Sequence, residues 1–196
     1  MKKATLTRLN ILQKAFELIY EKGYQTTSID DILASTQVTK GAFYYHFKNK
    51  DEMGIAIINE LLKPTLTNSF IEPLQNEENP IETIHNLIHH LLIDNDFLKV
   101  QHGCPVSNFT QEMASWNQVF NNALNEITQL WITTMTDIIE IGKRKGLIRY
   151  EVNANQVTMF VMSSYWGIRN FGKLDNDKLV YDTYLAELKY YLETLK

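Results

Sequence analysis

Apolar residues recur at helical spacing along almost the whole chain, and no stretch shows the convincing apolar–polar alternation of a half-buried strand. Phe120, Leu124, Ile127, Trp131, Thr134, Ile138 and Ile141 step alternately by 4 and 3 residues. That rhythm predicts one long helix, closed by Lys143, Arg144, Lys145 and Gly146, because basic side chains and a glycine suit a helix C-terminus. Tyr181, Leu185, Leu188, Leu192 and Leu195 repeat it in a last helix. Leu9, Leu12, Phe16 and Ile19 do so in a first one, from about Thr5 to Lys22, which Gly23 stops. Further helices are expected from Lys50 to Pro64 or slightly beyond, from Pro80 to about Leu92, near 106–114, and from Asn153 or Asn155 to Phe171. The stretch from Glu72-Pro73 to Asn79-Pro80 reads as a loop, and His102-Gly103-Cys104-Pro105 as another break. The expected fold class is all-α, with about nine helices, the short ones first.

A chain of 196 residues can hold one compact domain, or a small domain joined to a larger one, without disulfides or metals to support its core. The single cysteine, Cys104, excludes an internal disulfide and suits a reducing cytoplasm. Apolar runs fall far short of the ~20 residues a spanning helix needs. The N-terminus lacks the apolar region of a signal peptide, so a cytoplasmic protein without a membrane partner is expected. No glycine-rich phosphate loop, nucleophile elbow or supported Cys–His pair is visible, so neither an enzyme nor a cofactor is expected.

The net charge of −4 argues against nucleic acid only as an average. Residues 1–50 carry +4 and the remaining 146 carry −8. Such a segregation suggests a basic functional module on an acidic body.

The basic segment contains the most constrained stretch, Thr26 to Met53, which reads TTSIDDILASTQVTKGAFYYHFKNKDEM. Thr27 or Ser28 can cap a short helix bearing Ile29, Ile32 and Leu33, with Asp30 and Asp31 well placed in its first turn. Thr39 can cap a second short helix ending near Phe47. Two short helices joined by a tight turn on a helical support make a helix-turn-helix. Phe43 and Phe47 lie four apart and anchor one face beside Val38. The other face presents Thr39, Lys40, Gly41, Tyr44, Tyr45 and His46, with Lys48 and Lys50 next. Hydroxyls and cations near a helix N-terminus suit phosphate contact, and Gly41 leaves room for a duplex to approach the backbone.

These residues resemble the DNA-binding domain of the TetR/AcrR family of transcriptional regulators. Gly23-Tyr24, Thr26-Thr27, Ile29, Ile32, Lys40-Gly41, Tyr44, His46-Phe47 and Lys50 match the family pattern. Two departures occur: only Gln25 separates Tyr24 from the threonine pair, and Met53 stands where the family usually has leucine. The resemblance implies a three-helix helix-turn-helix domain over 1–50 and a larger helical effector-binding and dimerisation domain over 51–196. Carried over by position, Thr27, Tyr44, Tyr45, His46 and Lys50 correspond to phosphate contacts. Thr39, Lys40 and Gly41 correspond to positions nearest base edges, with Lys40 the guanine donor. The implied function is a bacterial homodimeric repressor, released from a palindromic double-stranded DNA operator by a small-molecule ligand. An architectural or division-control protein on the same scaffold, or an activator, is the alternative.

The resemblance places the dimer interface on the last two helices. Ser163, Ser164 and Gly167 would allow close helix approach there, and Val180, Tyr184 and Tyr191 widen the apolar stripe of the last helix. The expected effector pocket lies between the middle helices, with Phe109, Met113, Trp116, Phe120, Trp131, Met135, Phe160, Tyr165 and Trp166 as candidates. Each of these also fits ordinary core packing. The aromatic set favours a flat or lipophilic effector. Cys104 before Pro105 is either a redox or electrophile sensor or a small buried residue. His85 and His89, four apart, have a metal-compatible spacing but no cysteine or carboxylate pair nearby, so no metal is expected.

Overall fold

Side-chain caps cut the N-terminal third into short rods. The computed structural model describes residues 3–75, 78–175 and 177–196. Helix α1 (Lys3–Lys22) stops at Gly23, whose φ of +96° is open to a residue without Cβ. Helix α2 (Ile29–Thr36) starts with a reciprocal cap: Ser28 Oγ accepts the Asp31 amide at 3.1 Å, and Asp31 Oδ2 accepts the Ser28 amide at 2.8 Å. Gln37, at φ +56°, ends it in the left-handed region. Thr39 Oγ1 accepts the Ala42 amide at 3.2 Å and starts α3 (Lys40–His46). Asn49 does the same for α4 (Lys50–Ile57) through the Glu52 amide at 2.8 Å.

The helix begun at Lys50 continues well past Pro64. A π-turn over Ile58–Leu62 precedes α5 (Lys63–Leu66), and a second, over Thr67–Ile71, follows it. Pro64 has no amide hydrogen and its ring crowds the carbonyl four residues back, so a local change of hydrogen-bond register lets the rod pass through it. A 3-10 turn, Glu72–Gln75, then occupies the start of the expected loop, of which Asn76 and Glu77 lie outside the described residues. Helix α6 (Pro80–His89), capped by Asn79, runs into a π-turn over His90–Asp94. Helices α7 (Pro105–Met113), α8 (Gln118–Arg144), α9 (Ala154–Asp175) and α10 (Leu179–Glu193) complete the chain. With the run from α4 to the second π-turn counted as one rod, the described residues form nine helices and no strand.

The chain divides into two compact units, Met1–Thr65 with Pro105–Asn125, and Leu66–Cys104 with Glu126–Lys196. Ile11, Leu12, Tyr24, Ile32, Phe43, Phe47, Met53, Ile57, Phe109 and Phe120 form the core of the first. At Gly54 a Cβ would stand 2.7 Å from Phe120 and 2.8 Å from Tyr24, so both rings rest on bare α4 backbone. In the second unit α10 packs on α6 and α9. The Tyr181 hydroxyl fills the space where a Gly172 Cβ would sit. Ile84, Leu87, Phe70, Trp131, Tyr165, Leu185 and Leu188 fill that core.

Candidate nucleic-acid interface

Helix α3 has two unlike faces. Phe43 and Phe47 are fully buried with ring centroids 5.8 Å apart, and the Arg8 guanidinium sits 4.8 Å over the Phe47 ring. These contacts fix the roll of the helix. Lys40, Gly41, Tyr44 and Tyr45 therefore face outward, with Tyr45 78% exposed. Beyond its chain neighbours and the backbone of its own helix, a Cβ on Gly41 would meet nothing within 4 Å among the described residues. His46 is half-buried edge-on to Tyr45, and Thr39 is exposed with its hydroxyl engaged in the cap. A lysine, two phenols and a bare glycine thus occupy one solvent-facing surface, which can offer donors to phosphates and base edges.

Two of the eight expected contact residues turn inward. Thr27 is wholly buried and donates its hydroxyl hydrogen to the Gly23 carbonyl at 2.8 Å. Lys50 Nζ donates to the Tyr24 and Thr27 carbonyls at 2.9 and 3.1 Å and stands 4.4 Å over the Tyr24 ring. Burial pulls its pKa below the ordinary lysine value. Both residues hold the turn between α1 and α2.

A polar network behind that turn has no counterpart in the sequence reading. Tyr24, 1% exposed, donates its phenolic hydrogen to Asp51, which also accepts from Asn117 Nδ2 at 3.3 Å. Glu112 accepts the Tyr24 and Gln25 amides. The Tyr24 ring meets Phe109 and Phe120 at 5.7 and 5.1 Å. The partners lie up to 88 residues apart, and only Gly23-Tyr24 marks the place locally.

The nine effector candidates fall into separate groups. Phe109, Met113 and Phe120 are buried in the first unit, Phe109 and Phe120 stacked at 6.2 Å and Gln25 Nε2 donating to the Met113 sulfur at 3.1 Å. Trp116, in the same unit, is 63% exposed and donates its indole N–H to the Glu112 carbonyl. Trp131, Met135 and Tyr165 are buried in the second unit, Trp131 and Tyr165 against Phe70, which sequence reasoning missed. Phe70, Trp131 and Tyr165 meet edge to face, Phe70–Trp131 at 4.8 Å and Trp131–Tyr165 at 5.4 Å. The buried Trp131 Nε1 finds no acceptor among the described residues. Four residues along α9 from Tyr165, wholly buried Arg169 donates to the Lys99 and Gly103 carbonyls. Phe160 is half exposed against Tyr191, and Trp166 is half-buried. Two hollows of the second unit, about 520 and 370 Å³, are lined mainly by polar groups such as Lys143, Arg144 and Asn153, or Glu82, His85 and Lys189, and by none of the nine.

Cys104 is 2% exposed. His85 and His89 have ring centroids 6.5 Å apart, His89 facing Asp94 at 3.2 Å, and no cluster of three metal-binding side chains occurs among the described residues. Met159, Phe160, Phe171 and Leu174 are more than half exposed on α9, beside exposed Ser163 and open Gly167. Ser164 and Tyr184 share a hydrogen bond of 2.9 Å between α9 and α10. No described helix is long and apolar enough to cross a membrane.

A capped helix-turn-helix with a donor-rich outer face, on an all-helical chain, defines the class of helix-turn-helix DNA-binding proteins. Residues 11–57 match the family described as bacterial regulatory proteins, tetR family, and residues 81–188 match the tetracyclin repressor-like C-terminal domain. The chain is 33% identical over 121 residues to the HTH-type transcriptional regulator in the lacX 3' region of Lactococcus lactis subsp. lactis, covering 62% of each chain. It is 23% identical over 189 residues to the HTH-type transcriptional repressor DhaR of Mycobacterium sp. (strain GP1), covering 93% of this chain and 90% of the relative. The fold is that of a TetR transcriptional regulator from Chloroflexus aurantiacus J-10-FL, with TM-score 0.87, 22% identity, and coverage of 98% of this chain and 97% of the other. The chain belongs to the TetR family and is a DNA-binding transcriptional regulator, with the fold and family of such regulators.

Proposed function

We propose that this regulator is a homodimeric cytoplasmic repressor that reads a palindromic operator through α3 and leaves it when a small-molecule effector binds. The observation that carries the reading is the outer face of α3, where Lys40, Gly41, Tyr44 and Tyr45 are exposed over a buried Phe43–Phe47 anchor. Lys40 is assigned the base-edge contact, with Thr39 and Gly41 beside it. Tyr44, Tyr45 and His46 are assigned the phosphates. Thr27 and Lys50 serve the same surface by fixing the turn that supports it. Residues 1–50 act as the reader and 51–196 as the effector and dimer body.

TetR-family proteins bind operators and small effectors and act as dimers. The exposed apolar row on α9, together with α10, is the proposed dimer surface. Two-fold symmetry then presents two α3 helices to successive half-sites. The proposed effector is lipophilic or aromatic and engages the Trp131, Met135 and Tyr165 group, where the unpaired indole N–H would welcome an acceptor. Capture and sequencing of genomic fragments by the purified protein tests the reading. Recovery of one inverted-repeat sequence whose retention is lost on adding one compound of a panel supports it. Recovery of fragments without common sequence overturns it.

A further inference from the structure

We infer that Glu112, which lies outside the helix-turn-helix, is a positioning residue for DNA recognition: its carboxylate on α7 holds the turn from which α2 and α3 are hung. The inference rests on α3 being the DNA reader.

Glu112 uses both oxygens on consecutive amides. Oε1 accepts from Tyr24 N at 3.0 Å and Oε2 from Gln25 N at 2.7 Å. The carboxylate lies flat against the chain, since a Cβ on Gly23 would come within 3.1 Å of Oε1. From the other side, Lys50 on α4 holds the carbonyls of Tyr24 and Thr27. The amides of the turn are thus held by an anion and its carbonyls by a cation, each from a distant element. Charge-assisted bonds of this kind are stronger and more directional than the neutral bonds of an ordinary turn. The grip is repeated nearby: Tyr24 lies between Phe109 and Asp51, and Asn117 reaches the same Asp51 carboxylate.

Glu112 and Asn117 lie within the residues that match the C-terminal family domain, yet Pro105–Asn125 folds into the same compact unit as α1–α4. Part of the effector domain's sequence is therefore built into the reader. A displacement of α7 acts directly on the Tyr24 and Gln25 amides, and through them on the placement of α3.

The test compares wild type, Glu112→Ala and Glu112→Gln on two probes: the duplex that wild type selects from a random-sequence library, and a random duplex at low salt. Glu112→Ala is expected to lose about tenfold on the selected duplex. Its binding to the random duplex stays within twofold or rises, because one negative charge has been removed from the unit that carries α3. Glu112→Gln keeps one acceptor oxygen and falls between the two. Exchange of the Tyr24 and Gln25 amides, read by NMR, accelerates in the same order. Selected-duplex affinity within twofold of wild type in both variants overturns the inference, as does an equal loss on both probes. Lys40→Ala, run in parallel, separates the two readings: if it weakens selected-duplex binding while Glu112→Ala does not, the positioning role alone fails. If neither variant matters, the assignment of α3 as reader fails.

Discussion

The Tyr24 hydroxyl donates to Asp51 Oδ1 at 2.6 Å, joining the residue after the α1 stop to the first turn of α4. Burial, reinforced by the hydrogen bond and charge of Asp51, pushes the phenol well above the ordinary tyrosine pKa, so Tyr24 stays a donor at any working pH. Tyr24→Phe keeps the ring packing and removes the donor. A loss of about 1–2 kcal/mol in urea unfolding is expected, with an unchanged m-value. An unchanged midpoint would show that the bond contributes nothing net.

The Ser28–Asp31 cap predicts an acid-sensitive α2. Hydrogen bonds from the Ser28 side chain and backbone hold the Asp31 carboxyl below the usual carboxylate range. A depressed carboxylate contributes stability that is present above its unfolded pKa, about 3.9, and is lost as pH falls through its lower folded value. Asp31→Asn should therefore lower Tm at pH 7 and flatten the fall of Tm below pH 4 relative to wild type. Parallel Tm–pH curves for the two proteins would contradict this.

Gly54→Ala places a methyl group where the Phe120 and Tyr24 rings touch the α4 backbone. Overpacking of about 1–3 kcal/mol outweighs the roughly 1 kcal/mol gained in helix propensity. A lower denaturation midpoint for Gly54→Ala is expected. Gly41→Ala, with open space around it, should leave stability unchanged or raise it while weakening DNA binding. Stability and DNA affinity measured on both variants check the pair.

What was legible depended on sequence distance. Ser28, Thr39 and Gly146 mark helix ends through bonds or φ values that involve only a few neighbouring residues, and they appear where the local pattern put them. Phe43 and Phe47 were readable as an anchor for the same reason. Pro64 looked like the neighbourhood of a helix end, because a register shift that carries a rod through proline has no compositional mark. Thr27 and Lys50 matched a surface motif, but their inward orientation depends on carbonyls at Gly23, Tyr24 and Thr27, which only the folded turn presents. Phe120 and Trp131 shared one helical rhythm, yet Phe120 joined Tyr24 while Trp131 joined Phe70. Periodicity names the buried face and not the neighbour across it.

The exposed α9 row makes its own prediction. Phe171→Glu puts a charge in the proposed dimer surface and should shift the protein toward monomer in sedimentation equilibrium, with little change in helix content. An unaltered dimer in that variant would place the interface elsewhere.

Operator discrimination by α3 tests the central claim most directly. Binding of wild type, Lys40→Ala and Tyr45→Ala to the library-selected duplex should be titrated at several salt concentrations beside a random duplex. Lys40→Ala is expected to lose about 1–3 kcal/mol on the selected duplex and to relax base preference at one position per half-site. Tyr45→Ala should weaken both duplexes to a similar degree. Wild-type affinity and base preference retained in Lys40→Ala would contradict the account.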